Sequence, residues 1–138
     1  QRSGNRGLCA QPCRLPYSGG YPLSLKDLML AGHVAELSDW GVSSLKIEGR
    51  MKTASMWATV ARTYRKAIDD YKKDPELYRK NMEWYKEEIG KCTYREFTTG
   101  FYYGKPGTDA QIYDSNTYVR EYTYLGFAEE IDERVWQD

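Results

Sequence analysis

Val42-Ser43-Ser44-Leu45-Lys46-Ile47-Glu48-Gly49-Arg50 is the stretch on which the fold turns. Leu45 and Ile47 alternate with Ser44 and Lys46, a period of two that predicts a short strand over 42–47. Glu48-Gly49-Arg50 ends it, and helical patterns lie on both sides. Before it, His33 to Trp40 reads as a short helix stopped by Gly41. After it, a long helix capped by Thr53 or Ser55 places Trp57, Val60, Ala61, Tyr64, Ile68 and Tyr71 on one face. Asp74-Pro75 stops that helix and starts another, with Asp74 as cap and Pro75 at the first helical position. The new helix carries Leu77, Tyr78, Met82, Tyr85 and Ile89 and closes at Gly90. Helix, strand with a polar C-terminal end, then helix is the repeating unit of an α/β barrel or a doubly wound sheet. About one full unit is present, and one strand makes no parallel sheet. The chain therefore reads as part of a larger fold.

The flanks read differently. Residues 1–23 are loop-like, punctuated by Pro12, Pro16, Pro22 and the Ser18-Gly19-Gly20 turn. A short extended piece is expected over 13–17, and Ser24 is expected to cap a short turn over 25–28. From Lys91 onward the composition changes, and residues 98–107 read as extended and turn-forming. Alternation over 117–131 predicts one long strand or two short ones. Residues 91–138 thus read as a linker and the first strand or strands of a following small β-domain.

Composition bounds the function classes. The 138 residues suffice for one core, and 20 basic side chains balance 20 acidic ones, so no global field argues for or against nucleic acid. Thirteen Tyr and four Trp suit half-exposed surfaces, where a ring is covered and its polar tip stays wet. No apolar run approaches the ~20 residues of a membrane span, and the polar residues 1–15 do not read as a signal peptide. A first residue of Gln reads as processing or as a cut from something larger. Three cysteines, an odd count, point to a reducing compartment, with cytoplasm as the expectation.

Chemistry-bearing residues fall into three sets. Arg2-Ser3-Gly4-Asn5-Arg6-Gly7-Leu8-Cys9-Ala10-Gln11-Pro12-Cys13-Arg14 is a shaped loop that offers two soft ligands in a positive field. Cys9 and Cys13 are half of a zinc or iron–sulfur site, or else a pair of buried thiols or an adventitious disulfide. Glu48 and Arg50 follow a predicted strand. There Glu48 serves as general acid or base and Arg50 as a bidentate clamp for carboxylate or phosphate, or the two form a strand-end salt bridge. Lys46 adds positive charge beside them. Arg2, Arg6, Arg14, Arg50 and Lys52 line an anion pocket or make a solvated rim. His33, the single histidine, has no partner for a serine triad, and no H-E-x-x-H is present. The tyrosines at 64, 71, 78 and 85 follow helical spacing and read as core or interface.

Three segments in order resemble one family: the cysteine loop over 2–14, Tyr21-Pro22-Leu23-Ser24-Leu25-Lys26-Asp27-Leu28, and Ser44-Leu45-Lys46-Ile47-Glu48-Gly49-Arg50-Met51-Lys52. Phe97-Thr98-Thr99-Gly100-Phe101-Tyr102 is similar to a later signature of the same family, the collagenase-like peptidase family U32. The resemblance implies an α/β fold in which residues 1–90 form the C-terminal part of a TIM-barrel-like catalytic domain, mostly helical with one or two short strands, followed by a β-rich tail. It implies a peptidase by family name. Its better understood bacterial members look like oxygen-independent hydroxylation factors for RNA bases or quinone precursors. Those members carry a 4Fe–4S cluster on four cysteines, and the RNA-directed ones use prephenate. Cys9 and Cys13 match the paired cysteines of the motif, the other two lie upstream in the family, and Cys92 sits at no motif position. The expectation is a fragment of a peptidase with Glu48 or a metal activating water. The alternative is iron–sulfur-dependent modification of RNA or a small aromatic precursor, and a third reading is a non-catalytic interaction module. Peptide, RNA or a small anionic substrate are the expected partners of the parent. The fragment alone is expected to hold no stable cluster, and exposed helix faces suggest that it self-associates.

Overall fold

A computed structural model describes residues 2–49, 52–115, 118, 119, 122, 123, 125 and 126. Helices and a small parallel sheet make it a mixed α/β structure. In chain order come 3-10 turns at Gly4–Arg6 and Pro12–Arg14, strand β1 (Asp27–Leu28), a 3-10 turn at Ala31–His33, helices α1 (Val34–Asp39), α2 (Ala54–Lys73), α3 (Pro75–Lys80) and α4 (Met82–Gly90), strand β2 (Phe97–Thr98), and a 3-10 turn at Thr108–Ala110. Among the described residues no helix is long and apolar enough to cross a membrane.

The helices begin where their caps place them. Thr53 accepts from the Met56 N–H at the start of α2, and Asp74 accepts from the Glu76 N–H at 2.9 Å, with Pro75 opening α3. Gly41 ends α1 region with a positive φ of 77°, where a side chain would be strained. The expected continuous helix over 75–90 is two helices, because the backbone at Asn81 leaves the helical region (φ −90°, ψ 4°). The Asn81 side chain turns there to donate to Asp70 at 2.8 Å.

α2 packs against α1, α3 and α4 around a core of Ala31, Val34, Ala67, Tyr78, Tyr85 and Ile89. The stripe of α2 that is fully covered is Thr63, Ala67 and Asp70, with Tyr64, Ile68 and Tyr71 at its margin and Ala61 exposed. The covered face is thus rotated from the expected apolar one. Thr63 is buried because its hydroxyl donates to the Thr59 carbonyl, 2.8 Å away. Asp70 is buried because Lys66 (2.8 Å), Asn81 (2.8 Å) and Tyr85 (2.6 Å) all donate to it.

The sheet differs from expectation. β1 and β2 pair in parallel, with Asp27 beside Phe97 and Leu28 beside Thr98. The expected short turn over 25–28 is strand instead. Ser24 caps no described helix: it is fully buried, its hydroxyl has no hydrogen bond among the described residues, and its carbonyl accepts from the Ile112 N–H at 2.8 Å. Residues 110–113 return along 20–26, through Tyr21 N–H to Tyr113 O (2.9 Å) and an antiparallel bridge between Leu25 and Gln111. The predicted strand over 42–47 does not form. Residues 42–49 run without regular structure, because among the described residues no neighbouring strand lies along them. Their alternation survives in burial, with Leu45 and Ile47 half-covered and Ser44 and Lys46 exposed. The extended piece expected over 13–17 is a 3-10 turn up to Arg14, then an antiparallel bridge between Tyr17 and Gly20. The strand expected over 117–131 falls largely outside the described residues, although Val119 bridges Tyr94.

Candidate functional site

Three segments far apart in sequence meet at Asp27. Its carboxylate accepts from Lys52 Nζ at 3.0 Å and from the Arg95 main-chain N–H at 3.1 Å, and it lies 3.5 Å from the Arg95 guanidinium. Lys52 also donates to the Thr93 carbonyl at 3.0 Å. These contacts tie the start of α2 and the entry of β2 to the entry of β1. All three side chains are mostly covered, so the interaction is stronger than an exposed pair. Arg95 Nε is buried without a hydrogen-bond partner among the described residues.

The Tyr118 ring completes this cluster. Lys52 Nζ stands 4.4 Å from its centroid, the Arg95 guanidinium 5.6 Å and the Arg14 guanidinium 4.2 Å. Three cations thus lie against one half-buried ring, and two of them also against one carboxylate, a local positive excess that attracts anions. Two of the residues expected to bind anions, Arg14 and Lys52, are brought together here. Arg2 and Arg6 are exposed on the first loop, outside this cluster. Arg50 lies outside the described residues.

Arg14 connects the cluster to the cysteine loop. Gln11 adopts a left-handed conformation (φ 54°), and its N–H donates to Cys9 Sγ at 3.3 Å. Pro12–Arg14 then forms a 3-10 turn that holds Cys13 half-buried, while Cys9 is exposed. Both thiols are free. An N–H aimed at sulfur and an unbridged thiol pair fit soft-metal ligation, and they supply two ligands. Among the described residues no cluster of three or more Cys, His, Asp or Glu forms. Cys92 is buried, and desolvation pushes its thiol pKa up.

Beside the cluster opens a cavity of about 420 Å³, walled by Leu45, Ile47, Met56, Val60 and Phe97, with Asp27, Lys52 and Arg95 at its polar end. Lys46 and Glu48 line its rim. They form an exposed ion pair at 3.9 Å, and Glu48 also accepts from the Gly49 N–H at 3.2 Å. A Cβ at Gly49 would stand 2.5 Å from Met56 Cε, the far end of a flexible side chain, and 3.2 Å from Lys52 Cγ, so a larger residue there would displace both side chains. The sequence reading missed Asp27, Arg95 and Tyr118. Asp27 had one available signal, its place within a segment carrying the family resemblance.

Residues 1–112 match a family described as peptidase family U32. A tRNA hydroxylation protein P1 of Bacillus subtilis is 36% identical over 149 residues, covering 96% of this chain and 35% of that protein. A tRNA hydroxylation protein P of Helicobacter pylori is 32% identical over 140 residues, covering 85% of the chain and 32% of its own length. A collagenase of Porphyromonas gingivalis is 32% identical over 136 residues, covering 90% and 37%. The chain therefore spans about a third of the length of the curated relatives it matches. No solved structure matches it significantly.

Proposed function

The chain belongs to peptidase family U32, and from that premise we propose that it is part of a protein that hydroxylates RNA bases. The peptidase reading, expected first from the family label, gives way to the alternative. The names of the tRNA hydroxylation relatives favour that alternative. One observation in the structure carries it. Arg14, the residue after Cys13, is stacked on Tyr118 together with Lys52 and Arg95. A thiol pair for a soft metal centre is thereby anchored beside a cationic, aromatic surface. RNA binding uses that positive charge, since Lys and Arg neutralise phosphates, and the ring holds the cations in place. Glu48, the candidate base for peptide hydrolysis, is instead engaged in an exposed ion pair with Lys46.

In this reading residues 1–90 are the C-terminal part of a TIM-barrel-like domain in a longer, cytoplasmic protein. Cys9 and Cys13 supply two of the four thiolates for a 4Fe–4S cluster, with the other two coming from elsewhere in that protein. When bound, the cluster supplies one-electron chemistry. This chain's residues hold two corners of it, orient the loop through Arg14, and bind the anionic substrate through Lys52 and Arg95.

The test uses the full-length protein purified without oxygen. The expected result is about four irons per chain with matching acid-labile sulfide. Cys9→Ser or Cys13→Ser should strip the iron. The same substitutions should remove a hydroxylated nucleoside from cellular RNA, read by mass spectrometry. Iron-free protein that cleaves denatured collagen equally well with and without the two cysteines would overturn the proposal and restore the peptidase reading.

A further inference from the structure

Phe97-Thr98-Thr99-Gly100-Phe101-Tyr102, a motif of the sequence, meets the site around Asp27 through Phe97, which pairs with Asp27 and walls the cavity, and then leads away from it. β2 carries Phe97 and Thr98, and Gly100 then turns the chain with a φ of 57°. Tyr102 and Tyr103 are delivered to the end of the sheet where β1 runs on into Ala31–His33. There the rings stack. Tyr102 lies 4.4 Å from His33 with 27° between planes, and Trp40 lies 5.7 Å from Tyr102 with 19° between planes. Tyr103 stands edge-on to both Tyr102 (5.0 Å) and His33 (5.3 Å).

This cluster is displayed, not buried. Trp40 is 67% exposed and Tyr103 74%. It is also held in place. The Tyr102 hydroxyl donates to Glu36, and the Trp40 N–H donates to the Glu36 carbonyl at 2.9 Å. A rigid run of near-parallel rings with an open outer face is the geometry on which a nucleobase stacks. The local charge narrows the ligand further. Glu36 and Asp39 lie among the rings, occupied by Tyr102 and by Tyr71 (2.7 Å) respectively. Carboxylates repel phosphate, so this surface suits the base and not the backbone.

We propose that Trp40, Tyr102 and Tyr103 form a stacking platform for an unpaired base of the RNA substrate. The proposal rests on the RNA reading above. Both parallel strands run from the cationic cluster at Asp27 and Arg95 toward this platform. Asp27 and His33 are six residues apart along the chain, and of that stretch only Asp27 and Leu28 are strand. The two surfaces share no side chain, so each is read by its own substitution.

The experiment is fluorescence anisotropy of a short, labelled, unpaired oligoribonucleotide titrated with the full chain across a range of salt. Trp40→Ala should weaken binding by about 5- to 150-fold, the span of one lost base stack, and leave the salt dependence unchanged. Trp40→Phe should keep most of the affinity. Lys52→Ala should instead flatten the salt dependence. Because Trp40 is largely exposed, far-UV circular dichroism of the variants should match the parent chain. Binding by Trp40→Ala and Tyr103→Ala within about twofold of the parent chain would overturn the platform while leaving the RNA reading intact. No RNA binding by the parent chain would overturn both.

Discussion

Asp70 is the residue whose chemistry decides most about the helical core. Burial raises the cost of its charge, but hydrogen bonds from Lys66, Tyr85 and Asn81 outweigh that cost and hold its carboxyl at about 2, below the ordinary 3.8. A depressed carboxyl contributes stability that is present above the unfolded pKa and is lost as pH falls through the folded one. The chain should therefore lose stability between about pH 4 and pH 2, followed by chemical denaturation at stepped pH. Asp70→Asn should lower stability near neutrality by ~1.5–3 kcal/mol, the worth of hydrogen bonds to a charged group, and should flatten that acid limb. An unchanged acid limb in Asp70→Asn would assign the acid sensitivity to other carboxylates. The same residue explains a misread helix face. Thr63 and Asp70 carry no hydrophobic signal, yet with Ala67 they are the covered stripe of α2 because their polar groups are satisfied inside. Burial driven by hydrogen bonding cannot be read from apolar spacing.

At the scale of elements, what was legible is what is local. Thr53, Asp74, Pro75 and Gly41 set their boundaries through contacts within one turn, and the structure places them where the pattern did. Thr53→Ala and Asp74→Ala should each cost ~1 kcal/mol, measured by thermal unfolding, because each strands an N–H at a helix start. The strand over 42–47 was not legible in the same way, since a strand exists only with a partner. Its pattern is present, with Leu45 and Ile47 turned to the cavity, but the sheet neighbour is missing from the described residues. No main-chain hydrogen bond holds residues 43–47 among the described residues. Their amides should exchange with solvent deuterium at close to unprotected rates, while those of the middle of α2 exchange slowly. Strong protection of 43–47 in the dilute chain would mean that a second copy supplies the neighbour.

Across the whole molecule, a formal charge of zero conceals a local excess of cations. Arg14, Lys52, Arg95 and Asp27 are separated by long stretches of chain, and only folding makes them one cluster around Tyr118. That is why Arg14 and Lys52 were legible as basic residues near motifs, while Asp27, Arg95 and Tyr118 were not. The cluster has two roles that substitution can separate. As scaffold, Asp27 ties α2 and β2 to β1. As a charge, it offsets part of the field of three cations. Asp27→Asn keeps the shape and removes the charge, so urea unfolding should report a loss of ~1.5–3 kcal/mol. RNA binding should move the opposite way, tightening at low salt and becoming more salt-dependent, because the cations are released to meet phosphate. Lys52→Ala also loosens the scaffold, yet it should lower the slope of log affinity against log salt by about 0.7, the value of one phosphate contact on a single strand. A cluster that only holds the fold together would move stability in both variants and the salt slope in neither. Opposite changes of slope would assign it to the RNA backbone.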